Sequence, residues 1–285
     1  MNMKGGVGKT TVAMHLAGAS AAYRFTHGQV QRVLAIDYDP QFNLSQSLLP
    51  ASTYFALEKA NKTILAVLVE NGQVLNPYKL QVPGQETPPA VTDVATRVLA
   101  YRNAGYLDLV PSTLDLMYVA LGEAETSSKP IQNRFAAFIT ECRAHYDLVV
   151  IDCHPAGSLF TKTSLRNSDH VVIPVMAQRY AVRGIGLMMS FIEAKKPGTA
   201  GPTPHILFNC TSRTGISREE TQIRADPKFA QYCMAHSLKK YSALSEPEGG
   251  KGFVWHSKKP YSTEALNNML AVTEEFLKRV GVVAA

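Results

Sequence analysis

The sequence predicts an α/β fold, a mostly parallel sheet flanked by helices, and three observations carry that prediction. Short apolar runs such as Val33-Leu34-Ala35-Ile36, Leu148-Val149-Val150-Ile151 and Val171-Val172-Ile173 are continuous, which is the pattern of strands buried on both faces of a parallel sheet. Two of these runs lead into aspartates, Asp37 and Asp152, and the carboxyl ends of parallel strands line the ligand crevice of such a sheet. The third observation is the stretch Lys4-Gly5-Gly6-Val7-Gly8-Lys9-Thr10-Thr11, small residues closing in Gly-Lys-Thr where a helix begins. Backbone N–H groups there surround one anion, so the stretch reads as a phosphate cradle.

The chemistry of the cradle follows from its residue types. Gly5, Gly6 and Gly8 let the chain wrap phosphates without Cβ clashes, Lys9 can reach the β and γ phosphates, and the Thr10 hydroxyl can ligate Mg²⁺. Val7 and Thr11 complete the loop. In the helix that follows, Val12, Ala13, Leu16 and Ala17 share one face, so it packs on a sheet with its positive dipole end toward the nucleotide. A P-loop is built as strand, loop and helix, yet only Met1, Asn2 and Met3 precede Lys4, and an ordinary strand needs about five or six residues. The first strand is thus missing from this stretch, and the expectation is a natural product that starts upstream with a short apolar, β-branched run.

Asn2 through Thr11 departs from the strict P-loop pattern, with Met3 in place of glycine and a second lysine, Lys4, beside it. In this form it resembles the deviant Walker A motif of the ParA/MinD/Soj family of ATPases. The resemblance implies a P-loop NTPase fold, ATP and Mg²⁺ as ligands, and a homodimer formed on ATP in which Lys4 reaches across to the partner's nucleotide.

Further along, the strand Arg32–Ile36 runs into Asp37-Tyr38-Asp39-Pro40-Gln41-Phe42-Asn43, similar to the family's switch I, which makes Asp39 the residue that organises the attacking water and the Mg²⁺ shell. Asp, Pro and Asn also favour ordinary turns. Residues 45–70 read as helical, and 71–89, rich in Gly, Pro and Gln, as an irregular insertion on a single domain spanning 1–285. Tyr106–Val110 is the next strand, followed by helical patterns over 114–124 and 131–145. Tyr146–Asp152 resembles a Walker B strand, which would place Asp152 behind Mg²⁺, with Cys153–Gly157 as switch II; His154 stands where the family usually has a proline. Strands over 170–175 and 205–209 flank a helix over 180–194, and a closing helix covers 262–280. Asn209 sits where the family hydrogen-bonds adenine, and a strand-end Asn capping a turn is the alternative.

Composition narrows the class further. The chain has 285 residues, 46% of them hydrophobic, and a mean hydropathy of −0.06, enough apolar content for a full core. No apolar run approaches the roughly 18 residues of a membrane span and the start has no signal-peptide pattern, so a cytoplasmic protein is expected, and the family resemblance implies association with the nucleoid. Cys142, Cys153, Cys210 and Cys233 lack CxxC spacing and read as buried thiols. A net charge of +6 and a pI near 9.1 favour a polyanionic partner. Basic residues recur after position 179, and in the family this region binds DNA without reading sequence, which makes Arg213, Arg218, Lys239 and Lys240 the candidates. A ParB-like activator is the other partner the resemblance implies. Two alternatives remain: a MinD-like membrane-positioning protein, disfavoured by two glutamates and only two cations over 274–283, and a nitrogenase-iron-protein-like reductase, disfavoured by cysteine positions that do not match its cluster pattern.

Overall fold

The computed structural model describes residues 6–25, 28, 30–70, 76, 87–101, 105–120, 128–154, 158–179, 181–194, 201–245 and 252–283. Residues 1–5, and with them Lys4, Gly5 and the expected first strand, lie outside this set, as do most of the 71–89 insertion and Pro155–Gly157 of the switch II stretch.

Strand β1 (Arg32–Tyr38) is buried at every position after Arg32, as its unbroken apolar run requires. It pairs in parallel with β3 (Tyr106–Val110) on one side and with β4 (Leu148–Cys153) on the other. An antiparallel strand, β2 (Thr96–Ala100), adds to β3 and gives the order β2-β3-β1-β4. β5 (His170–Val175), β6 (Thr203–Thr211) and β7 (Leu238–Lys239) form a second, all-parallel group. Between β4 and β5 runs a slot of about 460 Å³, lined by Val150 and Val172 from the two strands and by Val12, Leu16, Ile139 and Phe276 from the surrounding helices. Among the described residues β4 pairs with β1 alone, and Leu148–Ile151 are only half-buried where their β1 partners are fully covered.

Helix α1 (Lys9–Ala22) lies on β1 and β4 and against the closing helix α11 (Ser262–Arg279). Its middle is a run of small residues, so neighbours approach closely: a side chain at Gly18 would overlap the ring of Phe253. His15 is fully buried in the same face. Its Nδ1 donates to the Thr11 carbonyl at 2.9 Å and its Nε2 accepts the Val254 N–H at 3.1 Å, which fixes the neutral tautomer. α11 buries Ala265, Met269, Val272, Phe276 and Leu277, an apolar stripe at helical spacing.

Residues 45–70, read from sequence as helical, hold three helices: α2 (Asn43–Leu48), α3 (Ala51–Lys59) and α4 (Ile64–Leu68). Pro50 has no N–H to continue α2 and instead precedes the first turn of α3. Asn61, at φ 55°, closes the far end of α3 in the left-handed region. The short helices α5 (Val91–Val94) and α6 (Leu116–Ala120) and the long α7 (Lys129–His145) follow, and α7 packs on α4. α8 (Leu159–Arg166), α9 (Ala181–Ala194) and α10 (Arg218–Ala225) complete the described helices. Three of the four thiols are buried as expected, whereas Cys210, at φ 54° near the end of β6, is exposed.

Candidate nucleotide site

The described part of the phosphate loop has the backbone that the glycines permit. Gly6 and Gly8 sit at φ 74° and 81°, and α1 begins directly at Lys9 with no acidic residue in its first turn, so the positive end of the helix faces the loop uncompensated. Asn209, at the end of β6, ties this loop to the second strand group: its Nδ2 donates to the Val7 carbonyl at 2.8 Å while its Oδ1 accepts the Cys210 N–H at 2.8 Å. A Cβ on Gly8 would stand 2.5 Å from that Nδ2. In this structure, therefore, the side-chain amide of Asn209 holds the loop.

Beside the loop, the β1/β4 register sets Asp37 directly against Asp152. Asp152 is buried, and its carboxylate accepts a hydrogen bond from the Thr10 hydroxyl. Burial pushes it up to about 6, opposed by Thr10 and by the positive charge of Lys9, while the negative charge of Asp39 adds to the rise. Its Oδ2 is buried with no hydrogen-bond partner. Asp37 is raised further, to about 8, first by burial and then by Asp152. Asp39, half-buried, accepts the Gln41 N–H at 2.9 Å.

This donor set fits a divalent cation of the Mg²⁺ type. An orphaned carboxylate oxygen beside a hydroxyl, with a second carboxylate near, supplies hard oxygen ligands and negative charge. Among the described residues no three His, Cys, Asp or Glu side chains form an all-protein cage. Mg²⁺ does not require one, since it is usually held by one or two carboxylates together with phosphates and water.

Of the residues expected from sequence, the structure brings Lys9, Thr10, Asp39 and Asp152 together, with Gly6, Val7 and Gly8 alongside and Asn209 behind. The backbone N–H of His154 donates to the Tyr38 carbonyl at 3.3 Å. Arg213 and Lys240 line one open cleft, where the Arg213 guanidinium lies 4.3 Å from the Tyr261 ring centre. Arg218 is exposed at the start of α10, and Lys239 is half-buried on β7. Arg224, from the same basic stretch, is committed to internal bonds with Glu220, Ser237 and the Met234 carbonyl. Sequence reading gave no role to Ser45 or Ser112, the polar partners of the switch I stretch.

A glycine-rich loop at a helix start, flanked by a buried Asp at the end of the neighbouring parallel strand, defines a P-loop ATPase. The chain belongs to the ParA/MinD family of these enzymes: the AAA domain family matches residues 1–198. The sporulation initiation inhibitor protein Soj of Bacillus subtilis is 31% identical over 194 residues, which cover 67% of this chain and 62% of Soj. A plasmid partition protein from Borrelia burgdorferi, solved with AMPPNP, superposes with a TM-score of 0.67 at 23% identity, over 98% of this chain and 96% of that one. pNOB8 ParA bound to nonspecific DNA gives a TM-score of 0.63 at 17% identity, over 99% and 97% of the two chains. These two likenesses are likenesses of fold. Among the described residues no helix is long and apolar enough to cross a membrane.

Proposed function

We propose that the chain is a ParA-type partition ATPase that dimerises on Mg·ATP, binds DNA without sequence preference as that dimer, and lets go when a ParB-like partner stimulates hydrolysis. The observation that carries this reading is the pairing of Thr10 with Asp152, whose second oxygen is left without a partner beside Lys9 and the phosphate loop. Bound Mg²⁺ would neutralise phosphate charge there, held by Thr10 with Asp152 and Asp39 around it. Lys9 and the loop N–H groups stabilise the charge that develops on the transferring phosphoryl group, Asp39 orients the attacking water, and Lys4 of a second copy completes the site. Asn209 would sit beside the base. Fold likeness to a ParA solved on nonspecific DNA supports the DNA-binding part of the reading, with Arg213, Arg218, Lys239 and Lys240 as the contacts. A membrane-positioning role is disfavoured because the apolar stripe of α11 is spent on the core.

The test is duplex binding by fluorescence anisotropy with no nucleotide, ADP, ATP or AMPPNP, across a salt series. The expected result is binding with ATP and AMPPNP alone, with an affinity that falls by about 0.9 log units per log unit of salt for each phosphate contact. Removing the four charges should flatten that slope. Equal binding with ADP and ATP would remove the nucleotide-gated reading.

A further inference from the structure

Asp37 and Asp152 stand at matching positions on adjacent strands, yet their oxygens are used differently. Asp152 keeps an oxygen with no partner, whereas Asp37 has none to offer. Asp37 Oδ2 accepts both the Ser45 N–H at 2.8 Å and the Ser45 hydroxyl at 2.7 Å, and Oδ1 faces the Asp39 N–H at 3.4 Å. The Ser45 hydroxyl in turn accepts the Ser112 N–H at 2.9 Å. Ser112 closes the ring by donating its own hydroxyl to the Asp39 carbonyl at 2.7 Å.

The result is a closed polar circuit through three elements: the end of β1, the first turn of α2 and the loop leaving β3. Asp37, Ser45 and Ser112 are all fully buried. The β3 loop is itself braced, since the Pro111 carbonyl accepts the Ile64 N–H at 2.8 Å and the Thr113 hydroxyl donates to Glu58 at 2.7 Å. Both sides of the Asp39 main chain are thereby referred to fixed structure, while its side chain points away to Gln41. Buried polar circuits of this kind specify one arrangement, because any broken link strands a group without a partner.

We propose that Asp37, Ser45 and Ser112 are positioning residues for hydrolysis, a clamp on the Asp39 main chain that sets where the Asp39 carboxylate meets the attacking water. This rests on the reading of Asp39 given above. Among the described residues none of the three hydrogen-bonds to the phosphate loop, so the clamp acts on turnover and not on nucleotide binding. A displacement on the order of 1 Å at such a group can cost about a hundredfold in rate.

Ser112→Ala removes the bond to the Asp39 carbonyl and leaves the Ser112 N–H in place; Ser45→Ala removes two links. Steady-state phosphate release and AMPPNP affinity are measured for both and for Asp39→Ala. The clamp predicts a kcat reduced by about ten- to a hundredfold in the serine variants with KM and AMPPNP affinity within about twofold. Wild-type kcat in both serine variants, with Asp39→Ala inactive, overturns the clamp and leaves the reading of the site standing. Asp39→Ala turning over at the wild-type rate overturns that reading itself. Loss of AMPPNP binding in step with turnover in both serine variants assigns the serines to folding and overturns the proposal.

Discussion

Gly8→Ala is the substitution whose cost is most directly set by local geometry. Gly8 has φ 81°, where an L side chain costs about 1–2 kcal/mol. The new methyl would also stand 2.5 Å from Asn209 Nδ2, forcing the amide off the Val7 carbonyl and losing one hydrogen bond, about 1 kcal/mol. Without nucleotide the loop can relax, so the penalty of about 2–3 kcal/mol is expected in affinity, as a roughly 30- to 150-fold weaker dissociation constant. Gly6→Ala lacks the Asn209 contribution: Gly6 has φ 74° and, among the described residues, nothing within 4 Å of an added Cβ, so the protein's own cost is the backbone's, roughly 5- to 30-fold, to which crowding of the phosphates adds. Isothermal titration with AMPPNP and Mg²⁺ reads both variants beside the wild type. Affinity within twofold of wild type at Gly8 would refute the argument that Asn209 braces the loop.

Two further outcomes follow from the packing of α1. His15 is held neutral by burial, with its ionisation pushed down to about 4, so the unfolded chain binds the extra proton below the ordinary value of 6.5. Stability should be full above about pH 6.5 and decline as the pH falls toward 4, by up to ~3 kcal/mol from this residue; urea melts of the wild type and His15→Gln at pH 7 and 5 would show a smaller decline in the variant. Gly18→Ala meets the Phe253 ring, and overpacking of about 1–3 kcal/mol less about 1 kcal/mol of helix propensity leaves a net loss of about 0–2 kcal/mol. Trp255, the single tryptophan, stacks 4.5 Å from Phe253 and reports the shift in urea midpoint by fluorescence.

Much of the sheet was legible as short apolar runs: β1, β4, β5 and β6 fall where such runs lie, whereas β3, interrupted by Asp108, was read as a strand through its likeness to the family. β2 was not, since Thr96-Arg97-Val98-Leu99-Ala100 is a half-exposed edge whose pairing is set by β3, with Arg97 ion-paired to Asp108 across the strands. The break at Pro50 has a local cause and was available to a reader who weighed the missing N–H against the helical pattern. At the site, the cradle and the two strand-end carboxylates were readable by motif. The family resemblance gave roles to Asp39 and Asp152 and none to Asp37, whose oxygens are seen only in the structure to be taken by Ser45. Basic residues posed the same problem, because Arg213 and Arg224 read identically until internal partners are seen for one of them.

The central claim, that Lys9 binds and Asp39 turns over Mg·ATP in this loop, is tested most directly by measuring AMPPNP binding and phosphate release together in the wild type, Lys9→Ala and Asp39→Ala. The wild type should bind and hydrolyse, Lys9→Ala should do neither, and Asp39→Ala should bind as the wild type does and release no phosphate. Hydrolysis by Asp39→Ala at the wild-type rate, or tight binding by Lys9→Ala, would contradict the account.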